Sequence, residues 1–206
     1  MKLAKILVVP AMLALLWTGA AGAEQPLQLA FLPPDMQLAD ESESIRGIRL
    51  NIYGRNRDVS GLDLGFVHEV TGNFRGVDFG VVSLVDGSAT GLQWNWIYSR
   101  ARGPMHGWSS GILMRVGDRS QGLMTGVVGL TEGDFTGVQL SWVFNSVSNH
   151  ISGVQFGLVN QAADVKGLQL GLVNLTDSMN GLQIGLWNEI RQKDNWNVLP
   201  IVNWNF

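Results

Sequence analysis

From Ile45 onward the chain alternates apolar and non-apolar positions, in blocks that repeat. The clearest blocks are Gly153-Val-Gln-Phe-Gly-Leu-Val-Asn160, Gly167-Leu-Gln-Leu-Gly-Leu-Val-Asn174 and Gly181-Leu-Gln-Ile-Gly-Leu-Trp-Asn188. The same frame recurs upstream from Gly137, Gly122, Gly107, Gly91, Gly76, Gly61 and Gly47, and a degenerate eleventh copy starts at Trp196. Successive starts lie 14, 15, 15, 16, 15, 15, 16, 14, 14 and 15 residues apart. So regular a spacing marks a repeat architecture.

Within each block the alternation has period two, the mark of a strand. One face carries Leu168, Leu170 and Leu172, or Leu62, Leu64 and Phe66; the other reads glycine, polar residue, glycine. An apolar residue also stands two positions before the first glycine, as in Ile45, Val59, Phe74, Met105, Phe135 and Ile151. Each unit therefore predicts a strand of roughly eight or nine residues. Turn-forming stretches such as Asp86-Gly87 and Glu132-Gly133-Asp134 follow the strands. A helical reading fails, because glycine at every fourth position costs ~1 kcal/mol each. The fold class is all-β.

Two architectures fit. The leading expectation is an antiparallel up-and-down barrel of about 11–12 strands, since short turns suit antiparallel neighbours. The alternative is a β-solenoid in which each unit is one coil and Gln and Asn stack into ladders. The solenoid accounts for the lack of any odd–even difference between units; the barrel accounts for the chain end. There Val198, Val202, Trp204 and Phe206 fall on one face and the chain stops on the aromatic. Leu27 to Leu32 would be a further strand closing the ring beside the last one. With about three apolar residues per strand, the apolar band would be roughly 15 Å tall, against a lipid belt of ~25 Å, so the barrel would be shallow. Arg46, Arg75 and Lys166 stand at the edge of that band.

Residues 1–23 read as a secretory signal: Lys2 and Lys5, an apolar stretch from Ile6 to Trp17, then Ala21-Gly22-Ala23. Residues 24–46 form an N-terminal segment with the candidate closing strand and the acidic connector Asp40-Glu-Ser-Glu-Ser44, and residues 47–206 the repeat domain. The absence of Cys excludes disulfide scaffolds, thiolate metal sites and thiol nucleophiles. A net charge of -3 provides no basic field for nucleic acid. Loss of Lys2 and Lys5 with the signal would leave 12 basic residues, out of 14, against 17 acidic ones.

Candidate chemistry centres on the slot between the paired glycines, occupied by Arg49, Asp63, Asp78, Gln93, Ser109, Met124, Gln139, Gln155, Gln169 and Gln183. In-register neighbours would place Arg49 beside Asp63 with Asp78 next. That row is either a cross-strand ion pair neutralising a polar interior, or a lumen or ligand-facing row. Trp94, Trp96, Tyr98, Trp108, Trp142 and Phe144 concentrate aromatic surface in the middle units. They serve packing or lipid contact, or present a stacking surface for glycan or lipid. Gly107-Trp-Ser-Ser-Gly111 spells the hydrolase G-x-S-x-G pattern, but both glycines belong to the repeat and Ser109 fills its central slot. His68, His106 and His150 fall in turns or at strand ends without metal-ligand spacing. Asn174-Leu-Thr176 is a glycosylation sequon set in the repeat itself. No catalytic, cofactor or metal residue is assigned.

Tandem G-Φ-Q-Φ-G-Φ-Φ-N units after a signal peptide resemble the bacterial surface-repeat proteins, over residues 47–206 and most specifically in the last three full copies. The resemblance implies an outer-membrane or cell-surface location and no catalytic residues. The Gln-x-Gly-x-x-Asn core is also similar to the repeat of curli subunits, whose units are longer and pair two strands each. The aromatic end resembles the assembly signal of bacterial outer-membrane barrels, which assigns that role to Val202, Trp204 and Phe206. The expected protein is exported and non-enzymatic, with a structural or small-barrel role, and its partners are the outer membrane and its assembly machinery. The alternative is a soluble periplasmic or surface β-solenoid that binds a partner or polysaccharide.

Overall fold

The computed structural model describes residues 24–206, so the expected signal segment lies outside it. The elements are β1 (Gln25–Leu32), β2 (Met36–Gln37), β3 (Ile45–Asn56), β4 (Val59–Val70), β5 (Phe74–Val85), β6 (Ala89–Ala101), β7 (Met105–Val116), β8 (Ser120–Thr131), β9 (Phe135–Phe156), β10 (Val159–Leu170), β11 (Val173–Ile190) and β12 (Val198–Asn205). They form one sheet in the order β12-β11-β10-β9-β8-β7-β6-β5-β4-β3-β1-β2. Each neighbouring pair from β3 to β11 is parallel, with glycine opposite glycine: Gly47 on Gly61, Gly76 on Gly91, Gly167 on Gly181. β1 also joins β3 in parallel, and among the described residues only β1–β2 and β11–β12 are antiparallel.

This topology overturns the antiparallel barrel. The protein is a parallel β-solenoid with a repeat of about 15 residues. Short turns favour antiparallel neighbours only when strands are straight, since a parallel neighbour needs a return path. Here the strand supplies that path by bending. A unit holds 12 consecutive strand residues, as in β3, β4 and β5, rather than eight or nine, and two residues (Arg57 and Asp58) carry β3 into β4.

Two bends make the coil. The first is the leading glycine, whose φ lies between 119° and 155° along the stack. A Cβ on Gly122 would lie 1.9 Å from the carbonyl oxygen of Gly107, so the position demands glycine twice over, for its dihedral and for its close approach. The second bend follows five to six residues on, where two successive side chains face outward (Phe66-Val67, Val127-Val128) and the alternation slips by one. In the two 16-residue units the extra residue sits at this second bend, producing β-bulges at Trp96-Ile97 and Trp142-Val143.

The interior is lined by four rows. Two are mainly apolar: residues two before the glycine (Ile45, Phe74, Met105, Phe135, Ile151) and residues near the end of the strand (Val70, Val85, Val116, Val147, Ile190). They form two core clusters, Ala39 to Ala101 and Met105 to Ile190. The other two rows are polar. At the turns, a carboxylate or amide oxygen of one coil accepts the next coil's backbone N–H: Asn73 N–H to Asp58 at 2.8 Å, Ser88 to Asn73 at 3.0 Å, Asp134 to Asp118 at 2.7 Å.

The ends depart from the expected ring closure. β1 pairs with β3 and lies at the opposite end of the stack from β12. The eleventh sequence copy is no coil: the chain reverses through Arg191–Asn197, with Trp196 at φ 57°, and β12 returns antiparallel on β11. Pro200 interrupts the outer edge of β12 and makes it a poor template for further pairing.

Candidate docking face

Each central-slot residue points into the coil. Arg49, Asp63, Asp78, Gln93, Gln139, Gln155, Gln169 and Gln183 are at most 2% exposed, and they fill the interior rather than line a lumen. Stacking in register brings them together as the spacing predicts. Gln155 donates to Gln139 at 2.9 Å, Gln169 to Gln155 at 2.8 Å and Gln183 to Gln169 at 2.8 Å. A second ladder, the Asn stack expected of a solenoid, runs through the repeat's terminal Asn: Asn145 to Asn160 at 2.9 Å, Asn160 to Asn174 at 2.8 Å, Asn174 to Asn188 at 2.7 Å. The second glycine of the unit makes room for it, since a Cβ on Gly171 would fall 2.6 Å from the Asn160 amide nitrogen. Asn174 is thus a buried ladder member, and its sequon is structural.

At the N-terminal end the amides give way to charge. Arg49 Nε donates to Asp63 Oδ1 at 3.0 Å, and Asn51 donates to the same oxygen at 2.9 Å. His68 Nδ1 meets Asp78, whose other oxygen accepts from Asn95 at 3.2 Å. His68 therefore lies in the interior and not at a strand end. Asp63, His68 and Asp78 offer ligand-type atoms within 4.8 Å of one another, but their carboxylate oxygens are engaged by Arg49, Asn51, His68 and Asn95. The ion-pair reading of Arg49–Asp63 is the one this geometry fits. Ser109, mid-strand and buried, donates to Ser99 at 3.0 Å instead of standing on a nucleophile elbow.

Surface polar groups serve the frame. The Asp134 N–H holds the Asp118 carboxyl below the usual carboxylate range, aided by the Arg119 N–H and guanidinium. Partial burial opposes ionisation of Asp58, yet the Asn73 N–H, Ser44 and Arg57 keep it low as well. The Tyr53 hydroxyl, 2.6 Å from Glu69, is pushed up to about 12 chiefly by that hydrogen bond.

With the polar rows inside, the apolar side of each strand faces out. The residues one, three, five and six after each glycine form a continuous surface from Ile48, Leu50 and Ile52 to Leu182, Ile184 and Leu186, without a charged side chain. β1 and β12 extend it, since Leu29 pairs with Leu50, Trp204 with Leu182 and Val202 with Ile184. Twelve strand rows spaced ~4.8 Å apart and about five residues wide give a face of roughly 53 by 17 Å, on the order of 900 Å². That exceeds the apolar patch of an ordinary monomer, ~300–600 Å². Trp96 and Trp142, on the two bulges, are 73% and 75% exposed. Trp94 meets Trp108 edge to face at 5.3 Å. Of the end residues, Val202 and Trp204 belong to this face and Phe206 projects beyond it.

The aromatic cluster was legible as surface or core, but not as outward on a solenoid. The two spacings of 16 were the available signal that Trp96 and Trp142 would be thrust out. Among the described residues no helix is long and apolar enough to cross a membrane. Comparison with protein-family models, curated proteins and solved structures finds no match.

Proposed function

We propose that the protein is a non-enzymatic, exported β-solenoid that docks peripherally on the bacterial envelope through its apolar sheet face. The carrying observation is that face: twelve strand rows of outward-facing side chains, mainly Leu, Ile, Val, Phe and Trp, without one charge. The signal-like residues 1–23 and the resemblance to surface-repeat proteins support export and an outer-membrane or cell-surface address. A polysaccharide fits less well. Sugar sites combine stacking rings with hydrogen-bonding groups, whereas the few polar atoms here include Trp108 Nε1 and Thr125 Oγ1, already bonded to each other at 2.8 Å. The Gln and Asn rows, being interior, contact no ligand.

The test is fractionation of cells expressing the chain with its own leader. The native protein is expected with the envelope, and a Trp142→Asp/Leu186→Asp variant in the osmotic-shock fluid with an unchanged far-ultraviolet circular dichroism spectrum. Recovery of the native protein in the shock fluid would overturn the docking reading.

A further inference from the structure

We infer that the surface seated on this face is a lipid leaflet bearing anionic headgroups, with the solenoid axis lying in the membrane plane. The inference rests on the docking reading and names its occupant. Three features carry it.

The first is the bulges. Two units out of ten carry an extra residue, both at the same bend, and each bulge holds a Trp that is among the most exposed side chains of the face, alongside Leu186 of an unbulged coil. Trp96 and Trp142 stand three coils apart, roughly 14 Å. Indoles so placed on an uncharged surface suit the headgroup–acyl boundary.

The second is a notch. Thr125 and Gly126 are small, as are Ser110 and Gly111 in register beside them, and the bulk resumes at Leu140 in the next coil, leaving a recess of about 440 Å³ walled by Leu140, Trp142 and Phe156. A recess of that size with apolar walls accepts part of an acyl chain.

The third feature is charge. The outward row just before the glycines carries Arg46, Arg75, His106 and Lys166 and no acidic residue. Arg75 and Lys166 have no ion pair among the described residues, while Arg46 pairs with Glu24 at 2.9 Å. Along the opposite flank four acids are already matched: Arg55–Glu69 at 3.5 Å, Arg100–Asp86 at 3.1 Å, Arg191–Glu189 at 3.2 Å, and Arg115 with Glu132. A second copy laid face to face would therefore offer the basic row Asp35 at one end and otherwise acids already ion-paired on that flank, whereas anionic headgroups would meet the whole row.

The experiment is flotation of the exported, purified chain with phosphatidylcholine vesicles, with and without phosphatidylglycerol. Binding is expected to be stronger with phosphatidylglycerol and weaker at high salt, with a blue shift of Trp emission and quenching by acyl-brominated lipid. Trp96→Ser/Trp142→Ser is expected to lower the bound fraction about tenfold and remove most of the quenching. Arg75→Glu/Lys166→Glu is expected to abolish the preference for phosphatidylglycerol while leaving residual binding. Circular dichroism identifies any variant that fails to fold, and the wild-type quenching remains decisive in that event. Absence of flotation, or flotation without acyl quenching, overturns the lipid assignment. So does a stable dimer by light scattering that shields Trp142 and does not float. If fractionation places the chain in the envelope and vesicles leave it unbound, docking stands and its occupant is another protein.

Discussion

A single residue type sets the coil. The leading glycine of each unit has a dihedral that L side chains avoid and a neighbour's carbonyl oxygen where its Cβ would be. Gly122→Ala therefore combines backbone strain with overpacking, and its expected cost is about 3 kcal/mol, read as a loss of urea midpoint; an unchanged midpoint would mean that the stack can spread at that coil. Arg49 is the opposite kind of residue, replaceable in shape but not in charge. Arg49→Met leaves Asp63 buried beside Asp78 without its guanidinium, with an expected loss of about 3–5 kcal/mol by the same measurement. Asp118 couples folding to pH. Its carboxyl titrates lower in the folded chain than unfolded, so its contribution is present above the ordinary value near ~3.9 and is lost as pH falls through the folded value. Carbon-detected NMR of the Asp118 carboxyl should show a midpoint below that reference, and Asp134→Pro, which removes the donating N–H, should move it upward.

At the scale of the strand, stability comes from ladders, and ladders need ends. β12 covers the last coil: Asn188 donates to the Leu199 carbonyl at 3.1 Å, Asn203 donates to the Asn188 carbonyl at 3.2 Å, and Lys193 lies 5.1 Å from the Trp204 ring centroid. Removing residues 198–206 bares the β11 backbone together with the open ends of both amide ladders. A truncated chain should associate end to end, visible as concentration-dependent growth in light scattering; a monodisperse monomer would show that β11 needs no cover. The strand is also where sequence reasoning reached its limit. Period-two alternation identified β structure, and the repeat placed Arg49 beside Asp63 and Gln155 beside Gln169. It could not tell parallel from antiparallel, because glycine–Gln–glycine reads alike in both directions and a bend within an extended strand leaves every residue strand-like. The slip at Phe66-Val67 was read as the end of a strand, when the strand turns a corner there and continues to Val70. That one misreading made a short strand and a separate short turn out of a coil, and hence a barrel out of a solenoid. It also hid His68, which looked terminal and is interior.

The whole molecule is built inside out relative to a common β-domain, with amides and ions in the middle of the coil and Leu and Trp outside. Hydrophobic stabilisation of the isolated chain therefore falls on the two apolar interior rows, and these are uneven along the axis. The cluster in the first four coils contains Ala39, Ala89 and Ala101 beside Ile45, Phe74 and three valines, and surrounds the buried charges of Arg49, Asp63 and Asp78. The cluster from Met105 to Ile190 is larger, contains three fully packed methionines and Phe135, and accompanies amides whose ladders are complete from Gln139 to Gln183. In a stack where each coil contacts only its neighbours, stability is local and need not be lost all at once. The break between clusters falls at Ala101–Met105, where the small Ala89 and Ala101 meet the larger core. Coils one to four should therefore open first. Hydrogen exchange in moderate urea should show amides of β3–β6 exchanging through a lower-energy opening than those of β8–β11, with the crossover within β7. Uniform protection along the axis would mean that inter-coil coupling outweighs core size. Faster exchange in β8–β11 would mean that the Arg49–Asp63–Asp78 network holds its end more firmly than the apolar rows hold theirs.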